Sequence, residues 1–402
     1  MKLFEPIRIG SMTLKNRVAF GPTHMGYCTD KGEVTDQLLC HYSARARGGV
    51  GLVIVEGAGF TGKYAFSMRR GLACMGDPYR KGLKELAEVI HFAGAKAVVQ
   101  IVLGQGAQAL FRHPRRDLVG PSAVPARIDQ RNLPKPLKMI GEVQGEPPRP
   151  LTTDEIEELI RGAITAARTL KEAGFDGVEL HGAHGYLVAE FISPLFNQRQ
   201  DAYGGTFDKR LALPLRLIEG VRETVGEKFV IGFRISGSEH VEGGLEIEDS
   251  VRAARRFEEA GLDYLHVSSG CYQALRWTFP ESEGLMLAEA KAFKQGLGIP
   301  VICPNIHDPR TAEKAIRQGA MDVASLCRAL LVDPDWPIKA LEERFDEIRR
   351  CVFCFTCAKS IMIEGTGVRC SQNPELGWER FLPKTYPIPP HRSGTKEGSS
   401  VG

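Results

Sequence analysis

Short apolar segments rich in β-branched residues alternate with longer amphipathic segments eight times along this chain, and this alternation restricts the fold more than any other feature of the sequence. The short segments are continuously apolar, as expected of parallel strands that are buried on both faces. Eight consecutive βα units predict an α/β protein, a (β/α)8 TIM barrel. The predicted strands are residues 18–22, 52–56, 97–103, 177–180, 229–235, 264–268, 301–303 and 323–326.

A doubly wound parallel sheet is the alternative α/β arrangement. Such a sheet more often places a glycine-rich turn after its first strand. The corresponding turn here reads Gly21-Pro22-Thr23-His24, which favours the barrel. The clearest helices are predicted at 153–173, where Thr152 and Glu155 have the spacing of a capping box, and at 209–225.

Residues 104–151 interrupt the alternation, since they contain eight prolines and no helical period. A segment of this length predicts an excursion over the barrel mouth, with a hairpin, that is a candidate lid. A closing helix is predicted at 336–350. The barrel is therefore predicted to span 1–348, followed by a cysteine-bearing segment at 349–382 and a Pro/Gly/Ser-rich tail at 383–402 that we expect to be disordered.

Charge and hydropathy exclude two classes of partner. The 52 basic and 49 acidic residues give a net charge of +3, which offers no strong field for nucleic acid or an anionic membrane. No apolar run approaches the roughly 20 residues that span a bilayer. The first ten residues, MKLFEPIRIG, lack the apolar core of a signal peptide. We therefore expect a cytoplasmic protein with no nucleic-acid or membrane partner.

Four of the ten cysteines lie near the end of the chain in the pattern Cys351-x2-Cys354-x2-Cys357-x12-Cys370. A cytoplasmic compartment keeps thiols reduced, so ligands are expected here rather than disulfides. Three cysteines at a spacing of three, plus one distant cysteine, suit the corners of a [4Fe-4S] cluster, whereas zinc knuckles require paired CxxC units. We predict a [4Fe-4S] site, with zinc and unligated thiols as the alternatives.

Two histidines and a tyrosine follow the fourth predicted strand in the run His181-Gly-Ala-His184-Gly-Tyr186. Catalytic groups of a barrel lie at the carboxyl ends of its strands. Two imidazoles can hold one carbonyl oxygen while a phenol supplies a proton, which suits reduction of a double bond conjugated to that carbonyl. Zinc binding is an alternative, although HxxH lacks the glutamate of HExxH and no third ligand is near. A structural role also remains open.

Other predicted strands also end in polar groups. The third strand carries Gln100 and the fifth carries Arg234, while the seventh leads into Pro304-Asn305-Ile306 and the eighth into Cys327 and Arg328. A phosphate commonly binds beside the loops after strands 7 and 8, so Arg328 is predicted to be a phosphate ligand. Structural ion pairs remain the alternative for both arginines.

At these positions the chain resembles the Old Yellow Enzyme family of FMN-dependent oxidoreductases, in the iron-sulfur branch that includes 2,4-dienoyl-CoA reductase, 2-enoate reductase and trimethylamine dehydrogenase. The resemblance covers about residues 1–380. Besides the histidine-tyrosine run and the cysteine pattern, it rests on Leu14-Lys-Asn-Arg17, residues 42–51, Tyr203-Gly-Gly205 and residues 329–334. It implies that the 1–348 barrel binds FMN.

The resemblance also implies roles for individual residues. Gln100 would bind the pyrimidine half of the isoalloxazine, and Arg234 would lie near its N1. His181 and His184 would hold the substrate carbonyl oxygen, and Tyr186 would be the proton donor. The other positions implied to border the flavin or hold its phosphate are Pro22, Thr23, His24, Gly57, Pro304, Asn305, Ile306, Cys327 and Arg328.

The chain departs from the family pattern in two places. Many dienoyl reductases have a histidine acid after strand 6, where this chain offers Tyr272, and Tyr272 and Trp277 are expected to line the substrate pocket. The cysteine spacing is that of trimethylamine dehydrogenase. However, His24 occupies the position of the cysteine that links the flavin in that enzyme, so covalent FMN is not expected.

The implied activity is that of an ene-reductase, in which hydride from FMN N5 and a proton from Tyr186 reduce the C=C bond of an α,β-unsaturated carbonyl, carboxylate or acyl-CoA compound. The alternatives are an amine or alcohol dehydrogenase that passes electrons out through the cluster, and a non-catalytic flavin/iron-sulfur electron-transfer subunit. No GxGxxG turn follows Cys370. Electrons are therefore expected from a ferredoxin or flavoprotein partner, or directly from NAD(P)H. We also expect a homo-oligomer.

Overall fold

A computed structural model of the chain describes residues 1–60, 64, 69–110 and 117–382. The tail at 383–402, for which the sequence predicts disorder, lies outside the described residues. None of the described helices is long and apolar enough to cross a membrane.

Eight parallel strands close into a barrel, which confirms the predicted (β/α)8 barrel. All eight predicted strands are present, with bounds that differ from the prediction by no more than three residues. A hairpin of two strands, β1 (Ile7–Ile9) and β2 (Met12–Leu14), precedes them. In barrel order the strands are β3 (Val18–Phe20), β4 (Leu52–Gly59), β5 (Lys96–Val102), β10 (Gly177–Gly182), β11 (Val230–Ser236), β12 (Tyr264–Ser268), β13 (Val301–Cys303) and β14 (Val323–Leu326).

The β1–β2 hairpin closes the amino-terminal end of the barrel. Its Ile9, Met12 and Leu14 belong to one buried apolar cluster with Val98 and Tyr264 of the barrel interior. Because apolar side chains fill this end, the polar residues of the loops collect at the opposite end, at the carboxyl ends of the strands.

Helices cover the outside of the barrel. The predicted capping box at Thr152 and Glu155 is present. The α-helices are α1 (Asp36–Arg47), α2 (Asp77–Phe92), α3 (Thr153–Glu172), α4 (Leu187–Ile192), α5 (Phe207–Arg210), α6 (Ala212–Val225), α7 (Ile247–Glu259), α8 (Leu275–Thr278), α9 (Leu287–Gly296), α10 (Pro309–Arg317), α11 (Arg328–Val332), α12 (Trp336–Leu341) and α13 (Thr356–Met362). Short 3-10 helices span Lys2–Phe4, Gly106–Gln108, Gln130–Asn132, Lys135–Ile140, Tyr272–Ala274, Phe345–Glu347 and Glu379–Phe381.

Two predicted helices differ from those observed. The helix predicted at 209–225 is divided into α5 and α6 at Leu211. Pro214 has no N–H to donate to the carbonyl of Arg210, so the helical hydrogen-bond ladder cannot run through this point. The closing helix predicted at 336–350 ends at Leu341, shortly before Glu343 adopts a left-handed φ of 57°. The periodicity of the sequence does not reveal either interruption.

In the described part of the predicted excursion, residues 104–110 and 117–151, short strands form above the barrel mouth, and residues 111–116 lie outside the described residues. β7 (Arg127–Ile128) and β8 (Val143–Gln144) pair antiparallel, as the predicted hairpin requires, while β6 (Val119–Gly120) and β9 (Arg149–Pro150) pair parallel. Ile128 of this region packs in one apolar cluster with Leu275 of α8 and Phe355 of the cysteine segment. The excursion and the cysteine segment therefore share one core over the barrel mouth.

A buried ion pair fixes the cysteine segment to α1. Arg45 of α1 is fully buried and pairs with Glu379, while its Nε donates to the carbonyl of Leu330. Burial alone would raise the pKa of Glu379, but the charge of Arg45 and the hydrogen bond with His41 hold that pKa well below its usual value. Glu379 is therefore ionised at neutral pH, and this pair joins residues far apart in sequence.

Glu379→Gln should lower the free energy of unfolding by about 3 kcal/mol at pH 7, because it leaves the Arg45 charge buried without its partner. The pKa of Glu379 is depressed in the folded state, so the difference between wild type and variant should shrink as the pH falls below about 4, the usual glutamate pKa. Urea denaturation of wild type and variant at pH 7 and at a pH below about 4 measures this difference in the free energy of unfolding.

The matched control is Glu375→Gln, an exposed glutamate of the same segment. It should change the free energy of unfolding by less than about 0.5 kcal/mol. Equal effects of the two substitutions would contradict the proposed anchoring role of Glu379.

Candidate active site

A cavity of about 1220 Å³ opens at the carboxyl ends of the barrel strands. Apart from the four cysteines near the end of the chain, nearly all of the predicted site residues lie in its wall, although they come from all eight barrel strands or the loops that follow them. The predicted residues that line it are Pro22, Thr23, His24, Gly57, Gln100, His181, His184, Tyr186, Arg234, Tyr272, Pro304, Asn305, Ile306, Cys327 and Arg328.

Trp277 is the predicted pocket residue that does not line this cavity. Its indole stacks on the imidazole of His240, with ring centroids 3.8 Å apart and planes 8° from parallel. His240 in turn lies within hydrogen-bond distance of Ser269 Oγ, at 2.8 Å. Tyr272 reaches the cavity, whereas Trp277 packs behind it.

Several lining residues were not predicted. Gln105 follows the carboxyl end of β5, the position that predicts functional residues in a barrel, so this rule could have identified it. A further group comes from the cysteine segment, for which the sequence gives no such signal, because these contacts depend on how the segment folds back over the barrel. Besides Cys357, which was predicted as a metal ligand, Phe355, Ala358, Ile361, Met362, Ile363, Glu364, Gly365 and Val368 of that segment line the cavity.

Two arginines at separate parts of the cavity have buried nitrogens without a protein partner. Arg234 donates from Nη2 to Ser268 Oγ at 3.4 Å, while its Nε makes no hydrogen bond. Arg328 donates from Nη2 to the carbonyl of Pro280 at 2.9 Å, while its Nη1 makes none. Buried donors are normally satisfied, so these two nitrogens indicate a ligand with acceptors at both positions.

Packing requires a glycine at position 57, in the cavity wall beside Gln100. A Cβ at Gly57 would lie 2.8 Å from Cγ2 of Val102, so any larger residue would push into this wall. The loop after β13 places Asn305 in a left-handed conformation with φ of 61°, and its Oδ1 accepts from Arg328 at 3.3 Å. A cavity of this size, with an unpartnered arginine nitrogen at each of two positions, fits FMN, which has carbonyl acceptors and a phosphate.

Both histidines of the predicted pair are neutral at physiological pH. Burial and the charge of Arg234 lower the pKa of His181 to about 3 and that of His184 well below its usual value. Nδ1 of His181 accepts from the backbone N–H of Ala183 at 3.2 Å, so its proton resides on Nε2. Nε2 of His184 lies 2.6 Å from Ser268 Oγ, so Nδ1 is the remaining ring nitrogen through which His184 could contact a ligand.

Tyr186 lies between these histidines and a second tyrosine. Its ring stacks on His181 at a centroid distance of 4.8 Å. Its hydroxyl lies 3.1 Å from the Tyr272 hydroxyl and accepts from Nε2 of Gln105 at 3.3 Å. Burial raises the pKa of Tyr186, and the hydrogen bonds with Tyr272 and Gln105 oppose that rise. At neutral pH Tyr186 is therefore a protonated phenol.

The four cysteines of the predicted cluster line a second, small cavity of about 20 Å³ beside the first. In the described part of the chain, no three His, Cys, Asp or Glu side chains form a group that could hold a metal ion. The geometry of the described residues therefore shows neither the predicted [4Fe-4S] site nor either zinc alternative. Cys357 and Arg328 line both cavities, so the cysteine segment borders the large cavity directly.

The loop that carries Cys354 has an unusual backbone. Phe353 and Phe355 on either side of this cysteine have left-handed φ values of 53° and 61°. The guanidinium of Arg328 lies 4.8 Å from the Phe353 ring centroid and 5.3 Å from that of Phe355. Bulky residues rarely adopt this conformation, so packing against Arg328 contributes to holding the loop in this shape.

Comparison with known proteins places the chain in one family. Residues 2–347 match the model of the NADH:flavin oxidoreductase / NADH oxidase family. The chain is 38% identical over 386 residues to an NADH oxidase of Thermoanaerobacter brockii, and this alignment covers 94% of the chain and 56% of that protein. It is 30% identical over 405 residues to a cinnamate reductase of Clostridium sporogenes, and this alignment covers 94% of the chain and 58% of that protein.

Among solved structures, the fold matches a 2-naphthoyl-CoA reductase with a TM-score of 0.84 and 28% identity, over 94% of the chain and 58% of that protein. The chain thus spans little more than half the length of these relatives. The chain belongs to the NADH:flavin oxidoreductase / NADH oxidase family, which confirms the family membership predicted from the Old Yellow Enzyme motifs.

Arg328→Met should weaken FMN binding by about 10- to 100-fold, because a charge-assisted hydrogen bond contributes about 1.5–3 kcal/mol. Riboflavin, which lacks the phosphate, serves as the control ligand and should bind the variant and the wild type with the same affinity. Fluorescence titration of the apoprotein with each flavin measures both constants. Equal losses for FMN and riboflavin would place the phosphate elsewhere.

Proposed function

We propose that this chain is an FMN-dependent ene-reductase that saturates the C=C bond of an α,β-unsaturated carbonyl, carboxylate or acyl-CoA compound, with Tyr186 as the proton donor. One observation carries the proposal: a protonated phenol lies beside two neutral imidazoles in the cavity that also contains Gln100 and Arg234. The name of the relative cinnamate reductase, a protein that acts on such a compound, agrees with this chemistry.

The substrate carbonyl is held by His181. Because Nδ1 of His181 is already an acceptor, its Nε2–H is the donor available to an oxygen in the cavity. Neutral imidazole donors polarise a carbonyl without protonating it, which makes the β-carbon electrophilic. Since Nε2 of His184 contacts Ser268, His184 would contribute through Nδ1. FMN bound in this cavity would supply the hydride to the β-carbon.

Tyr186 protonates the α-carbon, and its two partners assist. Gln105 donates to the Tyr186 oxygen, and the Tyr272 hydroxyl can donate to the second lone pair of the same oxygen. In that arrangement the Tyr186 proton remains directed toward the substrate. The negative charge that develops on the phenol oxygen as the proton leaves is then stabilised by two donors already in place.

The four cysteines would hold a [4Fe-4S] cluster next to this cavity. All four cysteines line one small cavity, and Cys357 lines the large cavity as well. A bound cluster would supply single electrons, whereas NAD(P)H is the direct two-electron donor suggested by the family name. We propose that a ferredoxin or flavoprotein partner delivers electrons through this segment.

Tyr186→Phe should slow the oxidation of reduced enzyme by an unsaturated substrate about 10²- to 10⁴-fold, because it removes the general acid. Reduction of the flavin should stay within about twofold of wild type, since that step needs no proton from the phenol. Anaerobic stopped-flow measurement of each half-reaction separates the two rates.

The control for this experiment is Tyr79→Phe, which removes a hydroxyl that bonds the Lys31 carbonyl outside the cavity. Both half-reactions of the control should match wild type. If Tyr186→Phe slows both half-reactions equally, Tyr186 is not the proton donor.

Cys354→Ser should abolish the broad visible absorbance of a cluster and remove turnover with a reduced protein donor. Flavin reduced with dithionite should still reduce the substrate in this variant. Cys40→Ala, a buried cysteine of α1, is the control and should retain both properties. Full turnover of Cys354→Ser with the protein donor would show that electrons do not pass through the cysteine segment.

A further inference from the structure

A fully buried carboxylate lies inside the barrel below the large cavity. Glu179 of β10 has no exposed surface and is not among the residues that line the cavity. It lies two residues before His181 on the same strand, so both side chains point to the barrel interior. None of the catalytic steps above uses it, although an uncompensated buried charge is costly.

Three side chains donate hydrogen bonds to this carboxylate. Oε1 accepts from Nε2 of Gln100 at 2.7 Å, and Oε2 accepts from the Tyr264 hydroxyl at 3.0 Å and from Nδ1 of His266 at 2.9 Å. A Cβ at Gly232 would overlap the Tyr264 ring, so glycine at that position makes room for this contact.

Glu179 is ionised. Burial alone would raise its pKa, but His266, Arg234 and Gln100 together hold that pKa below its usual value. Burial lowers the pKa of His266, so this imidazole is neutral and donates its Nδ1 proton to the carboxylate. The interior therefore contains one negative charge, on Glu179, opposite the positive charge of Arg234.

The hydrogen bond to Glu179 also determines which end of the Gln100 amide faces the cavity. The amide nitrogen is directed to the carboxylate. The amide oxygen lies near Gly57, 3.5 Å from the position of an added Cβ, and both residues line the cavity. Gln100 therefore offers the cavity an acceptor, and oxidised isoalloxazine has one ring N–H, at N3, to match it.

We propose that Glu179 is a positioning residue for the cofactor, which fixes the Gln100 amide with its oxygen toward the cavity and offsets the charge of Arg234, and thereby lowers the reduction potential of the bound flavin. This inference rests on the FMN site and is independent of the substrate. The physical reason is that a buried negative charge below the cavity would disfavour added electrons on a flavin bound there, whereas the positive charge of Arg234 would favour them.

The test is the midpoint potential of bound FMN in Glu179→Gln, which removes the charge and keeps the shape. The potential should rise relative to wild type. The matched control is Tyr264→Phe, which removes a hydrogen bond to the same carboxylate but retains the charge, and its potential should equal that of wild type. An unchanged potential in Glu179→Gln, or an equal rise in both variants, would overturn the proposal.

A second measurement needs only the wild-type protein, in case Glu179→Gln does not fold. The apoprotein is titrated with FMN and with 3-methyl-FMN, which has no N3–H. The methylated analogue should bind at least about tenfold more weakly, since the Gln100 oxygen loses its donor. Equal affinities would overturn the proposal, and failure of wild type to bind either flavin would instead reject the FMN site itself.

Discussion

Parallel closure of the barrel is the constraint on which the rest of the structure depends. Because all eight strands run in one direction, their carboxyl ends meet at one mouth, and residues as distant as Pro22 and Arg328 line one cavity. The β1–β2 hairpin blocks the opposite end with apolar side chains. Polar groups that line the mouth can therefore contact a ligand there, whereas a buried charge such as Glu179, which does not line the cavity, acts through its hydrogen-bond partners and its electric field.

Arg328 connects the barrel to the cysteine segment. Its guanidinium has a nitrogen available at the large cavity and packs against the two phenylalanines that flank Cys354. The same side chain lines both cavities. A ligand that binds Arg328 would consequently stabilise the cysteine loop as well, and the shape of that loop would in turn affect how firmly Arg328 is held.

The sequence predicted the barrel and most of the cavity for physical reasons. Continuous apolar runs identify strands buried on both faces, and the barrel rule then selects the residues that follow each strand, such as Gln100 and Tyr186. Trp277 was expected in the pocket wall but stacks on His240, which has a left-handed φ of 53°, and the sequence pattern does not reveal this conformation. Glu179 was overlooked because the role of a charged residue inside a strand depends on its hydrogen-bond partners from other strands, and a local sequence pattern does not reveal those partners.

The direction of the reaction is the central claim, and one anaerobic mixing experiment tests it directly. Protein reduced with light is mixed with cinnamate, cyclohexenone and an enoyl-CoA, and oxidised protein is mixed with amines, while flavin absorbance is followed. The account predicts reoxidation by at least one unsaturated compound with formation of the saturated product. Bleaching by an amine without reoxidation by any unsaturated compound would contradict it, and no response to either class would indicate an electron-transfer subunit.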